Sequence, residues 1–251
     1  VLYIVAGSEG LTGAAILSAR SAWAEGLGAV ILVCPRGLLS IYEYTLPSII
    51  KKPVGETSDE HFKPKHLNSV LDITRERDGA VLLGPGLGRH HDTVSFVSQF
   101  SGRNAKKTVI DADALWCITQ SDSWDKQGDA QWILTPHPGE LSGFADHPLE
   151  NDLQRLNFVR KFSSEQDITI LSKGMPGIIG TSSGKCYLTN YNTQYFSRAG
   201  SGDVLAGKVS AYLALGHTPV ASCAEGLLRG KQKLDQYLKN AQSLPEPKDF
   251  I

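Results

Sequence analysis

The stretch Ser197-Arg-Ala-Gly-Ser-Gly-Asp-Val-Leu-Ala-Gly207 decides how this chain is read. Its small residues run into Val204, Leu205, Val209, Tyr212 and Leu213, spaced as one apolar helix face. A helix therefore starts near Asp203, with Gly200, Ser201 and Gly202 as the turn before it. Such a turn aims several backbone N–H groups, reinforced by the helix dipole, at one anion. Asp203 adds a carboxylate beside that anion hole. The pairing suits phosphoryl transfer, in which an acid takes a hydroxyl proton while N–H groups hold the phosphoryl oxygens. An Asp N-cap after a glycine-rich turn accounts for the same residues without function, so the rest of the chain must decide.

Working outward, the other glycine turns also follow apolar, β-branched runs that read as buried strands. Residues 1–5 lead into Gly7-Ser-Glu-Gly-Leu-Thr-Gly-Ala-Ala15 and a helix through Ile16, Ala19, Trp23 and Leu27. Ala14 and Ala15 leave no bulk at that helix start, which suits either a ligand or a neighbouring backbone. Residues 29–34 form the second strand, a βαβ beginning that implies a parallel sheet. Residues 38–60 have no clean period and are broken by Lys51-Lys-Pro53; they read as a loop with a short helix or strand. A helix over 65–77 precedes the strand 80–83 and Gly84-Pro-Gly-Leu-Gly-Arg89. That set is GxGxG rather than GxGxxG, weak as a dinucleotide fingerprint but fair as a glycine-lined rim.

The helix 93–100 and the strand 107–110 lead to Asp111-Ala-Asp-Ala-Leu115. Asp113 reads as the cap of the helix 114–119, and Asp111, at the strand tip, as the better site carboxylate. The strand 131–134 opens into Thr135-Pro-His-Pro-Gly-Glu-Leu141. Pro138 suits the first helical position, so His137 falls at the N-cap, and capping explains Glu140 without function. His137, held between two prolines, also suits a ligand contact. An amphipathic helix over 153–162 precedes the strand 168–171 and Ser172-Lys-Gly-Met-Pro-Gly177, where Lys173 is either a solvated strand end or a phosphate ligand. Residues 178–179 and 186–189 read as an antiparallel hairpin, and helices over 204–215 and 219–238 close the chain. In a parallel sheet, Gly7, Gly84, Asp111, His137, Lys173 and Asp203 all lie along one edge. Their convergence makes a nucleotide-phosphate site the best single account.

Composition agrees with one large α/β domain over residues 1–251, at 41% hydrophobic and 20% charged. A formal net charge of −1 offers no footprint for nucleic acid or an anionic membrane, and no apolar run suits a membrane span. Cys34, Cys117, Cys186 and Cys223 show no CxxC pair and no zinc spacing, as for reduced cysteines in a cytoplasmic protein. No signal peptide is read at the start of the chain, which begins inside a strand without Met.

The combination of Gly7-Ser, Thr12-Gly-Ala-Ala15, Gly84-Pro-Gly-Leu-Gly88, Asp111-Ala-Asp-Ala-Leu115, Thr135-Pro-His-Pro-Gly-Glu140, Lys173-Gly174 and Ala199-Gly-Ser-Gly-Asp-Val-Leu-Ala-Gly207 resembles the ADP/ATP-dependent NAD(P)H-hydrate dehydratases of the ribokinase-like superfamily. The match runs in order over nearly the whole chain. It implies a ribokinase-like α/β fold, a central mostly parallel sheet flanked by helices on both faces with a small antiparallel hairpin late in the chain. It also implies repair of the hydrated cofactors NADHX and NADPHX with ADP or ATP and Mg2+. By resemblance, Asp203 is the catalytic base and a substrate contact. Lys173, Gly174, Met175, Pro176 and Gly177, with Gly200, Ser201 and Gly202, hold the nucleotide. Ala14 or Ala15, Gly86 or Gly88, Asp111 and His137 hold the hydrated cofactor, and Glu140 is linked to magnesium. The turn after Lys173 reads Gly-Met-Pro-Gly where the family more often ends in Thr, and Leu11 stands where many members carry an aromatic. The expected partners are small molecules and further copies of the chain. The rivals are a ribokinase-like kinase of a vitamin precursor and a nucleotide-binding protein without turnover.

Overall fold

The computed structural model describes residues 1–121, 126, 128–191, 194–240 and 243–251. Nine strands form one sheet: β1 (Leu2–Val5), β2 (Val30–Pro35), β3 (Ile50–Val54), β4 (Ala80–Leu83), β5 (Lys107–Ile110), β6 (Trp132–Leu134), β7 (Thr169–Ser172), β8 (Ile178–Gly180) and β9 (Cys186–Leu188). Their order is β3-β2-β1-β4-β5-β6-β7-β8-β9. Pairing is parallel from β3 through β7 and antiparallel at β7–β8 and β8–β9; the parallel body and the β8–β9 hairpin are as the sequence pattern leads one to expect, and the antiparallel joint at β7–β8 is a further feature.

The central strands are apolar on both sides because both faces are covered. In β1, Tyr3 and Val5 join one core while Leu2 and Ile4 join the other. The first core is closed by α3 (Leu67–Arg75), α4 (His91–Ser101), α5 (Asp113–Thr119) and α7 (Asp152–Glu165). The second is closed by α1 (Thr12–Ala24), α2 (Leu39–Thr45), α8 (Ser201–Ala214) and α9 (Pro219–Asn240). The short α6 (Pro138–Ser142) sits at the end of β6. Among the described residues no helix is long and apolar enough to cross a membrane.

Two local features differ from the pattern reading. Residues 39–54 hold a full helix and an edge strand, α2 and β3, rather than a loop with one short element. Lys51, Lys52 and Pro53 do not break β3, because that strand lies at the edge of the sheet and, among the described residues, pairs only with β2. The segment after β3 is tied down by Asp59, whose buried carboxylate takes Lys63 at 2.7 Å, Lys65 at 2.8 Å and His66 at 3.1 Å. Lastly, the cap of α5 is Ala112, not Asp113.

The chain reverses direction across the sheet between β1 and β4, which opens a crevice at their carboxyl ends. Two backbone bonds close the floor of that crevice, Gly84 N to Val5 O at 3.2 Å and Gly7 N to Pro85 O at 3.0 Å. Helix α8 is brought over the same edge by α1. Ala15, Ser18, Ala19, Ser21 and Ala22 are small enough for close packing, and Ser18 and Ser21 donate to the Asp203 and Val204 carbonyls at 3.1 and 2.6 Å. The small residues of α1 thus fix where Asp203 begins its helix.

Candidate active site

Helix α8 starts from Gly200, whose φ of +91° is natural only for glycine. Val204 N bonds to Gly200 O at 3.1 Å and Ser201 N to Arg198 O at 3.0 Å. Gly202 and Asp203 occupy the first turn, where a helix supplies no acceptor for backbone N–H groups. The small side of Gly202 faces Lys173; a Cβ there would lie 3.3 Å from its Nζ. Among the described residues Ser201 Oγ is buried with no hydrogen-bond partner.

Lys173 organises the charges. Its Nζ lies 2.7 Å from Asp111 Oδ1 and 3.8 Å from Glu140 Oε2. Asp111 is buried and also accepts Thr135 Oγ1 at 2.7 Å. Burial pulls the Lys173 pKa down, but the carboxylates of Asp111 and Glu140 outweigh it and raise it, so Lys173 is a cation. Asp203 is the counterpart: burial, then the Asp111 charge, push its carboxyl up to about 7, with Lys173 offsetting part of the rise. Burial likewise raises Glu140 to about 6. Three carboxylates therefore face one lysine at the mouth of an anion hole.

His137 caps α6 in the way its spacing predicts. Its Nδ1 accepts Gly139 N at 3.0 Å and Glu140 N at 3.2 Å, while Glu140 Oε2 accepts His137 N at 2.7 Å. Nδ1 is thus an acceptor, which leaves the proton on Nε2. Burial, and after it the Lys173 charge, lower the ring's pKa and keep it neutral. Its exposed end therefore presents a donor, 3.5 Å from Glu140 Oε1. Across the crevice, Gly86 at φ +60° abuts Leu11 O, and a Cβ there would meet the Ala14 Cβ at 3.2 Å. A Cβ at Gly88 would meet Ser8 Oγ at 2.9 Å. Of the alanine pair, Ala14 is partly exposed beside this rim and Ala15 is buried in the core.

On the other side of Lys173 a cavity opens between the 173–177 turn and helices α8 and α9. Met175, Gly177, Gly202, Leu205, Leu227 and Phe250 are among its walls. The site therefore has two lobes, a glycine-rimmed crevice with His137 and an apolar-walled cavity, with Lys173, Asp111 and Asp203 at their junction. Among the described residues no group of three or more His, Cys, Asp or Glu is spaced to hold a metal by itself.

Residues 2–244 match the profile of the family described as NAD(P)H-hydrate dehydratase. The chain belongs to the NAD(P)H-hydrate dehydratase family. It is 30% identical over 236 residues to a bifunctional NAD(P)H-hydrate repair enzyme Nnr of Salinibacter ruber, covering 93% of this chain and 43% of that protein. A protein of the same name from Moorella thermoacetica is 33% identical over 226 residues, covering 88% and 42%. The chain thus spans less than half the length of these curated relatives. Among solved structures, the ADP/ATP-dependent NAD(P)H-hydrate dehydratase of Bacillus subtilis, co-crystallised with ATP/Mg2+ and soaked with CoA, superposes with a TM-score of 0.80 at 20% identity, covering 99% of this chain and 87% of that one. A ribokinase-like superfamily protein of Enterococcus faecalis gives 0.80 at 17% identity, covering 99% and 83%. Both likenesses show the fold.

Two supports of this dehydratase-family site escape a reading of the sequence. Arg155, buried on α7, donates to Lys173 O at 2.9 Å and to Pro176 O, and pairs with Asp152 at 3.1 Å. It pins the 173–177 turn from beneath. Asp113 accepts Gly88 N at 3.0 Å and Arg89 Nε at 3.2 Å, so it ties the glycine rim to α5. The preceding Ala112 holds φ at +51°, a strained value for a residue with a side chain. In the sequence Arg155 is one more charged residue of an amphipathic helix and Asp113 reads as a cap, so nothing local points to either role.

Proposed function

We propose that the chain returns hydrated NADH and NADPH (NADHX and NADPHX) to NADH and NADPH using ADP or ATP, as one domain over residues 1–251. The observation that carries this reading is Asp203: a carboxyl with its pKa near 7, in the first turn of α8, between a glycine-rimmed crevice and an apolar-walled cavity. A base poised near the working pH is both ionised and strong enough to take a hydroxyl proton. The names of the Salinibacter and Moorella relatives, and the ATP/Mg2+ complex of the Bacillus protein, support the same assignment.

The flat base of the nucleotide suits the cavity, with its phosphates toward Lys173 and the Gly202 and Asp203 N–H groups; Gly174, Met175, Pro176 and Gly177, with Gly200 and Ser201, frame that lobe. The hydrated ring suits the crevice between Ala14, Gly86, Gly88 and His137, whose Nε2–H donates to it. Asp203 takes the ring hydroxyl's proton as that oxygen attacks the terminal phosphorus, and the bond from phosphorus to the bridging oxygen breaks to release AMP or ADP. The first-turn N–H groups and Lys173 stabilise the transferred phosphoryl. The ring nitrogen's electron pair then expels phosphate, and a proton leaves the neighbouring ring carbon to restore the dihydronicotinamide. Glu140 fits magnesium: its carboxyl is raised to about 6 beside two other carboxylates that share Lys173, and Mg2+ with a nucleotide needs only one or two carboxylates. When bound, the ion neutralises nucleotide oxygens.

Incubation with NADHX and ADP or ATP, followed by absorbance of regenerated NADH and by phosphate release, tests the proposal. A phosphorylated product without NADH would make the chain a kinase, and nucleotide binding without turnover would make it a binding protein. The proposal includes a homo-oligomeric cytoplasmic enzyme, which light scattering and cell fractionation test.

A further inference from the structure

Arg89 follows the last glycine of the rim and is held in two ways. Its Nε donates to Asp113 Oδ1 at 3.2 Å, and its guanidinium carbon lies 5.2 Å from the centre of the Trp116 ring. Both contacts fix the plane of the guanidinium and neither uses its terminal amino groups. The side chain is 57% exposed all the same, against 16% for Asp113. The planar fork of a guanidinium matches two oxygens of a phosphate. Arg89 stands on the crevice side of the site. Its charge reaches His137, whose pKa it helps to lower after burial and Lys173, whereas the cavity for the nucleotide lies beyond Lys173 and Gly202.

We infer that Arg89 is a substrate-binding residue that grips the diphosphate bridge of the hydrated dinucleotide. The inference rests on the dehydratase reading. A ring bound between Gly86, Gly88 and His137 with its hydroxyl at Asp203 continues outward into ribose and diphosphate, and Arg89 is the next residue on that rim. Asp113 is then a positioning residue twice over, through the Gly88 N–H that shapes the rim and through the Arg89 Nε that aims the fork. Its dual contact explains why α5 begins from a strained alanine rather than an Asp cap: a carboxylate turned back to cap its own helix would release both.

The test compares wild type with Arg89→Ala and Arg89→Lys in two measurements, calorimetric titration with NADH and with ADP, and steady-state turnover of NADHX with ADP. Loss of a hydrogen-bonded ion pair to phosphate weakens binding by about ten- to a hundredfold. Arg89→Ala is expected to raise the NADH dissociation constant and the KM for NADHX on that scale, with kcat and ADP affinity changed less than twofold. Arg89→Lys, which keeps the charge without the fork, is expected to recover only part of the loss. A residue that merely braced the rim would lower kcat and the melting temperature together, and that outcome overturns the assignment. So does a KM for NADHX within twofold of wild type while wild type turns over, which leaves the dehydratase reading standing. Absence of turnover in wild type overturns that reading and the assignment of Arg89 with it.

Discussion

Replacing Asp203 with Asn removes the proposed base and also a charge that the fold holds at a cost. Its pKa rises from the ordinary Asp value to about 7 in the folded chain, chiefly by burial and by the Asp111 charge. An acid whose folded pKa lies above its unfolded one keeps its proton longer in the folded state. Stability is therefore full below about pH 4 and falls as pH climbs to about 7, where the folded group also ionises. Each pH unit in that window is worth about 1.4 kcal/mol, so the penalty is about 1.5 kcal/mol at pH 5 and about 4 kcal/mol at pH 8. Asparagine carries no such penalty. The stability difference between Asp203→Asn and wild type is expected to grow by about 2.5 kcal/mol between pH 5 and pH 8. For a chain of this size that is roughly 5–10 °C of melting temperature. Any lost hydrogen bond adds a constant offset, so the slope with pH is the diagnostic quantity. Thermal melts of both proteins without ligand, at four pH values, measure it, alongside a turnover assay in which the variant is expected to lose about 10²–10⁴ in rate. A melting difference flat across that range would refute the claim that Asp203 is a desolvated carboxyl, and near-normal turnover would remove it from catalysis.

Other consequences follow from the same geometry. The pH profile of kcat/KM is expected to rise through about pH 7 as Asp203 ionises, and Lys173→Met, which removes the cation lowering that pKa, should move the rise to higher pH; an unmoved limb would uncouple the two. The same substitution strands the buried Asp111 carboxylate and is expected to cost about 3–5 kcal/mol in a denaturant titration. His137→Ala is expected to cost about 0.5–2 kcal/mol as a lost cap and to raise the KM for NADHX about two- to tenfold through the lost Nε2 donor, with ADP affinity intact by calorimetry. A melting shift with both affinities unchanged would leave His137 as a cap and nothing more. Arg155→Met, at a residue that does not line the cavity, is expected to weaken ADP binding because Lys173 O and Pro176 O lose their shared donor, with a stability loss of about 3 kcal/mol. Unaltered ADP affinity in a folded variant would show that the 173–177 turn keeps its shape unaided.

What the sequence makes legible is whatever depends on near neighbours. The central strands are apolar on both faces, so β1, β2, β4, β5, β6 and β7 stand out as short runs ending in glycine, aspartate or proline. Strand β3 does not, because an edge strand paired on one side tolerates Lys51, Lys52 and Pro53, the residues that elsewhere end a strand. The site divides along the same line. Gly200, Gly202 and Asp203 sit within one turn, and His137 and Glu140 close a capping box three residues apart, so their spacing is readable. The pairing of Lys173 with Asp111 spans 62 residues and that of Arg155 with Lys173 spans 18, and periodicity cannot express either.

Asp113 is the most instructive case, since a sound local rule gives the wrong answer there. An aspartate just before a helix is ordinarily its cap. Here the chain instead accepts a positive φ at Ala112 and leaves the helix start to a residue with no capping side chain. The strain and the forgone cap together cost on the order of 2–4 kcal/mol, and the two bonds to Gly88 N and Arg89 Nε offset part of that. Local rules fail where a residue is held for something distant in sequence. At Asp113 that distant partner is the rim of the crevice, on the side of the site opposite the cavity proposed for the nucleotide, which is where a dehydratase and a simple kinase of the same fold must differ.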